Sequence, residues 1–150
     1  MSEYRIVRDY PNPPEEVWRA LTDPALVPIW TATGQGGKPV GFAAVVGTRF
    51  QFVAKPTPGW NGIVECEVRD VQEPSVLRFT WRGGADDDLT MVTWLLEPQT
   101  GGTRLTCHHT GFTGIRGFLM AKLLGRVRRK MLDVGLPEAL QRGAMVTQAT

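Results

Sequence analysis

Residues 10–30, Y-P-N-P-P-E-E-V-W-R-A-L-T-D-P-A-L-V-P-I-W, constrain the fold more than any other stretch of this chain. They follow a short strand-like run, residues 3–10, whose apolar positions are Tyr4, Ile6, Val7 and Tyr10. Pro13 and Pro14 cannot join a ladder, because proline has no N–H to donate. They do suit the first turn of a helix, where N–H groups are unpaired anyway. Glu15 and Glu16 then lie at the positive end of the helix dipole. Val17, Ala20 and Leu21 recur at helical spacing, with Trp18 flanking them. Thr22-Asp23-Pro24 stops this helix, and Asp23 caps a second short one that ends on Trp30. A strand followed at once by two short helices predicts a sheet gripped by helices, with a hollow between them.

Residues 31–39 read as a Gly-rich polar loop. Within it, Gly34-Gln35-Gly36-Gly37-Lys38 lacks the spacing and the Ser or Thr of a phosphate loop and reads as a flexible lid or connector. From there to Thr110 the apolar period is two. Phe50 and Phe52, then Val64, Cys66 and Val68, then Leu77, Phe79 and Trp81, then Val92, Trp94 and Leu96, then Leu105, Cys107 and His109 alternate with polar neighbours. Five strands with one apolar face each, separated by turn signals, describe an antiparallel sheet that is dry on one side. After Gly111 the period lengthens. Met120, Leu124, Val127 and Met131 form one helical stripe, with Lys122, Arg126 and Arg129 opposite. Gly135 and Pro137 interrupt this helix and residues 138–142 continue it. The fold class is therefore α+β: a curved antiparallel sheet of six to seven strands wrapped around a long C-terminal helix, with two short helices after the first strand.

At 150 residues the chain reads as one domain, 1–150, able to bury its core without staples. Cys66 and Cys107 are too few for a disulfide framework and read as reduced core thiols. The N-terminal M-S-E-Y-R-I has no apolar segment of a signal peptide, and no apolar run approaches the ~18 residues of a membrane span, so the expected location is the cytoplasm. The net charge of +2 conceals an asymmetry. Residues 98–132 contain no Asp or Glu but carry Arg104, Arg116, Lys122, Arg126, Arg128, Arg129 and Lys130, a cationic element suited to an anionic partner.

Three separated motifs carry a family resemblance. P-P-E-E-V-W-R-A-L-T-D-P (13–24), V-T-W-L-L-E-P (92–98) and G-T-R-L-T-C-H-H-T-G-F (102–112) resemble the START-like, polyketide-cyclase/dehydrase (SRPBCC) superfamily. Within it they look most like the family related to the activator of the heat-shock protein 90 ATPase. The resemblance spans residues 3–143 and implies a helix-grip fold with an apolar cavity. Superfamily members bind lipids, sterols, hormones or aromatic polyketides, and a few catalyse cyclisation. It therefore implies binding of a hydrophobic small molecule, with a cyclase- or dehydratase-like enzyme or a chaperone-activator-like interaction module as alternatives.

The candidate ligand-binding residues are Trp30, Phe50, Phe52, Trp60, Val64, Phe79, Trp81, Trp94, His109 and Phe118. The inward aromatics suit either a packed core or an apolar pocket, since such pockets are lined by large aromatics with few polar partners. Trp30 and Trp60, in or beside loops, are placed at its mouth. His108 and His109 are adjacent on a strand and point to opposite faces, so they cannot share a metal. His109, pointing inward, is the one weak catalytic candidate. A Cys107–His109 or Cys66–His109 nucleophile pair lacks an orienting acid. Asp86-Asp87-Asp88 lacks the spaced oxygens of a calcium loop and reads as a solvated hairpin tip. Gly114-Ile115-Arg116-Gly117 matches a nucleic-acid-binding loop only by letters. No metal, cofactor or nucleic acid is expected. Membrane docking would have to use Phe118 and Leu119 beside Lys122 and Arg126. The protein is expected as a monomer or a homodimer, with a chaperone or another protein as the alternative partner.

Overall fold

The computed structural model describes residues 1–31, 37–84 and 87–149, with side chains through residue 144. Strand β1 (Ser2–Tyr10) is followed by helices α1 (Pro14–Thr22) and α2 (Val27–Thr31). Strands β2 (Lys38–Val40), β3 (Arg49–Val53), β4 (Ile63–Gln72), β5 (Val76–Trp81), β6 (Thr90–Gln99) and β7 (Gly102–Phe112) come next. Helix α3 (Gly114–Lys130), a π-turn (Met131–Gly135) and helix α4 (Leu136–Ala149) complete the chain. The strands form one seven-stranded antiparallel sheet in the order β1-β7-β6-β5-β4-β3-β2. This is the α+β helix-grip arrangement. The short β2, on residues read from the sequence as loop, adds the outermost strand. Most of the Gly-rich lid, residues 32–36, lies outside the described residues.

The period-two reading places the buried face correctly. Phe50, Phe52, Val64, Cys66, Val68, Leu77, Phe79, Val92, Trp94, Leu96, Leu105, Cys107 and His109 are all buried, and Trp81 is half-buried against them. Register joins these positions into rows across the sheet. Tyr4 pairs with His109, His109 with Val92, Val92 with Phe79 and Phe79 with Val68. Antiparallel partners share a face, so each row presents one continuous set of side chains to the helices.

The helix stripe expected from the sequence needs correction. Met120, Leu124 and Val127 are only half-buried, and the buried positions of α3 are Gly117, Ala121, Gly125 and Arg128. The true seam is turned by about a quarter of a turn from the row of large apolar residues. The reason is distance. Helix α3 lies directly on β1 and β7, and a Cβ on Gly117 would stand 2.9 Å from the Phe112 carbonyl carbon. A Cβ on Gly125 would stand 3.4 Å from the Tyr4 ring. Small residues admit the helix, and the larger ones flank the contact.

The helix interruption follows from Pro137, which removes one N–H and crowds the carbonyl four residues earlier. The chain widens into a π-turn there, with the Leu136 N–H bonded to the Met131 carbonyl. Tyr10 donates its hydroxyl to the Leu132 carbonyl at 2.6 Å, tying this turn to β1.

Two residues of the acidic tip are also tied to the start of α3. Asp88 accepts from the backbone N–H of Thr113 at 2.7 Å and from its hydroxyl at 2.8 Å, and Asp87 pairs with Arg116 at 2.8 Å. The first turn of α3 contains no acid of its own. The β5–β6 loop supplies the negative charge that the helix dipole favours; Asp86 lies outside the described residues.

The close approach generates a prediction. Gly117→Ala would ordinarily strengthen a helix by up to ~1 kcal/mol. Here it should destabilise by about 1–3 kcal/mol, because the new methyl meets backbone rather than a movable side chain. Leu123→Ala, on the exposed side, should stay within ~0.5 kcal/mol. Urea unfolding of the two variants separates these outcomes.

Candidate functional site

Side chains from three strands converge on Arg128 of α3. It lies on the small-residue seam of α3 and is 5% exposed, the one charged side chain in the buried set of described residues apart from the titratable His109. Its guanidinium carbon stands 5.6 Å from the ring centre of Trp81 on β5 and 5.3 Å from that of Trp94 on β6. Both are cation–π distances. Its Nε–H donates to the Tyr4 hydroxyl over a long 3.4 Å, and Nη1 points at the Met131 sulfur at 3.6 Å. Among the described residues no carboxylate pairs with it. The sequence reading counted Arg128 with the outward cationic element; the structure places it inside.

His109 occupies the centre of a directed chain of hydrogen bonds. Thr90 donates its hydroxyl to the Trp81 carbonyl at 2.9 Å, so its oxygen accepts a hydrogen bond from His109 Nε2–H at 2.6 Å. Nδ1 is then the lone-pair nitrogen and accepts from the Tyr4 hydroxyl at 3.0 Å. The chain runs from Arg128 through Tyr4, His109 and Thr90 to the backbone of β5. Both ring nitrogens are committed, and Phe112, Tyr4 and Trp81 enclose the ring at 4.5, 5.1 and 5.7 Å. Burial first, then the charge of Arg128 and the neighbouring His108, hold its pKa down to about 2. The ring stays neutral. Burial also pushes Tyr4 up to about 12 and Cys107 up to about 11, while Cys66 is raised further still. Both thiols are free and buried, so neither is activated.

The remaining sequence candidates divide into groups. Phe50, Phe52 and Phe79 pack edge to face or tilted on one another at 5.3–6.4 Å, and Phe52 reaches Trp81 at 5.3 Å. Val64 lies opposite Phe52 in the ladder. Phe42, from the segment before β3, covers Phe50 at 4.9 Å. Trp60 is half-buried and donates its indole N–H to the Gly83 carbonyl at 2.8 Å, fixing its loop beside the end of β5. Trp30 is not at a mouth. It is buried, donates to the Ala20 carbonyl and meets Trp94 edge-on at 5.6 Å. Phe118 stands apart on α3, 47% exposed, with the Lys122 ammonium 4.6 Å over its ring. His108 faces the other way, 3.1 Å from Glu3.

Sequence reasoning missed Tyr4 and Arg128. A signal for Arg128 was present, because position 128 falls on the same helical line as Gly117, Ala121 and Gly125. A second feature also went unread: a surface cleft of about 470 Å³ where β1 meets the π-turn and α4, with Arg8, Tyr10, Asp133 and Pro137 among its walls. The Arg8–Asp133 ion pair, at 2.6 Å, forms one side of it.

The buried neutral histidine gives a pH signature. Unfolded histidine titrates near 6.5 and folded His109 far lower, so the unfolded state binds the extra proton below pH 6.5. Its contribution is therefore complete above that pH and shrinks on acidification. The wild type should lose about 2 kcal/mol between pH 6.5 and 5, before the carboxylates begin to titrate. Denaturant titrations of wild type and His109→Gln across that window should show the gap between them closing as the pH falls.

Comparison with known proteins places this geometry in a family. A protein of Mesorhizobium loti is 31% identical, with 94% of this chain and 98% of that one covered and a TM-score of 0.73. A Rhizobium loti protein is 26% identical, covering 86% of this chain and 96% of its own at a TM-score of 0.64. A Rhodobacter sphaeroides protein is 25% identical, covering 91% and 93% at a TM-score of 0.64. No curated protein matches the chain. Among the described residues no helix is long and apolar enough to cross a membrane. Residues 11–129 match the family model described as "Activator of Hsp90 ATPase homolog 1-like protein", and the chain belongs to that family.

Proposed function

We propose that this protein is a cytoplasmic binding protein for a small hydrophobic or aromatic molecule, held between α3 and the β3–β5 part of the sheet. One observation carries the reading. Helix α3 packs on β1 and β7, at one edge of the sheet, while Phe52, Phe79 and Trp81 on β3 and β5 pack on one another. Half-buried Trp81 and Trp60 form the rim on one side, and half-buried Val127 stands on the helix side. A ligand would enter beside Trp81, displace aromatic contacts and meet Phe52, Val64 and Trp94 as walls. Phe50 and Phe79 support them from behind.

An enzyme of the cyclase type would need His109 as a base. Its Nδ1 lone pair already accepts from Tyr4, and its Nε2 already donates to Thr90, so it offers a substrate nothing. The interaction-module alternative has a different basis. Ile115, Phe118, Leu119 and Leu123 are exposed on α3 beside Lys122 and Arg126, a surface a protein partner or second copy of the chain would cover.

Native mass spectrometry of gently purified protein tests the two together. The binding reading expects a discrete added mass, either as isolated or after incubation with pooled lipids and aromatic acids. Trp81→Ala should weaken that adduct at least tenfold, while Leu123→Ala leaves it intact. A bare mass under every condition would remove the binding reading, and a doubled mass lost on Leu123→Glu would favour the surface.

A further inference from the structure

We infer that the molecule held in this grip is a hydrophobic monoanion, a small aromatic or aliphatic carboxylic acid whose carboxylate docks on Arg128. The inference rests on the binding reading above and names the ligand class for that site.

Arg128 is 95% buried by its 5% exposure, yet its partners are poor. A guanidinium carries five N–H donors. Here one reaches a phenol at 3.4 Å and another a thioether at 3.6 Å, and two indole faces supply the rest of its surroundings. None of these removes a full charge. Arginine cannot shed its proton to escape the interior, and an unpaired buried ion is costly. Buried arginines are ordinarily matched by a carboxylate; no acid lies in the buried set of described residues. Among the described residues nothing supplies the counter-charge, which points to one brought by a ligand.

The chemistry of that counter-charge follows from the surroundings. The planar fork of a guanidinium matches a carboxylate through two parallel hydrogen bonds. Among the described buried residues no second cationic group accompanies it, since His109 is neutral in the tautomer that Thr90 imposes. A monoanion therefore balances the site, whereas a phosphate dianion would leave a net negative charge in an aromatic interior. The route is short: Trp81 is half-exposed on one side and touches the guanidinium on the other. The body of the acid would lie along Phe52 and Trp81, where apolar and aromatic surface is continuous.

Calorimetric titration of the full chain with matched pairs tests this: 2-naphthoate against 2-naphthylmethanol, and decanoate against decanol. Wild type should bind each acid at least tenfold more tightly than its alcohol. Arg128→Met should erase that preference while keeping the alcohol affinities, and its unfolding midpoint should hold or rise, because an uncompensated charge has been removed. Arg128→Lys should retain part of the preference, which guards against a folding defect in the first variant. Equal affinities for acid and alcohol in wild type would overturn the anion site while leaving the binding reading in place. A preference that survives Arg128→Met would overturn the assignment to Arg128. Absence of binding by all four compounds at millimolar concentration would overturn the binding reading, and this inference with it.

Discussion

The contact between α3 and β1 sets the terms for the rest of this structure. Gly117, Ala121 and Gly125 let the helix lie close against Phe112 and Tyr4, and that closeness carries Arg128 into the interior. A helix held one side-chain layer further out would leave Arg128 at the rim, where water would solvate it. Closeness also places the Tyr4 hydroxyl between Arg128 and His109, where it donates to the Nδ1 lone pair that the Thr90 contact leaves free.

The ends of this helix are secured from both sides of the sheet. At its start, the β5–β6 loop brings Asp87 and Asp88 to Arg116 and Thr113. At its end, Tyr10 holds the π-turn through the Leu132 carbonyl, and the Arg8–Asp133 pair lies beside it. Each bond is modest alone, since exposed ion pairs contribute little. Their joint effect is positional. They hold α3 over β1 and β7.

Most of the fold was legible in the residues, because alternation and helical spacing are local properties. The strand faces from Phe50 to His109 followed from spacing, and the start of α1 and the interruption near Pro137 from the chemistry of proline. What escaped depended on distance between elements. The seam of α3 was assigned to its largest apolar residues, and burial there instead favours the smallest, because the sheet stands too near for leucine. Arg128 was counted with the surface charges because arginine is almost always one. Trp30 was placed at a mouth because its neighbours are loop-like, and its indole instead closes the core over Trp94. The acidic tip read as solvated because nothing in Asp86-Asp87-Asp88 indicates that Thr113 will fold back to meet it. Tyr4 was legible only as an apolar position of the first strand, and the pairing of that strand with the last reveals its partner.

In this structure a charged guanidinium is confined among indole rings with no carboxylate paired to it among the described residues. The most direct measurement is the Nε–H resonance of Arg128 in a side-chain nitrogen–proton correlation spectrum, followed by hydrogen exchange. This account expects a resolved signal, displaced by the ring currents of Trp81 and Trp94 and exchanging much more slowly than those of exposed arginines such as Arg126. An Arg128 signal at the position and exchange rate of the exposed arginines would contradict it.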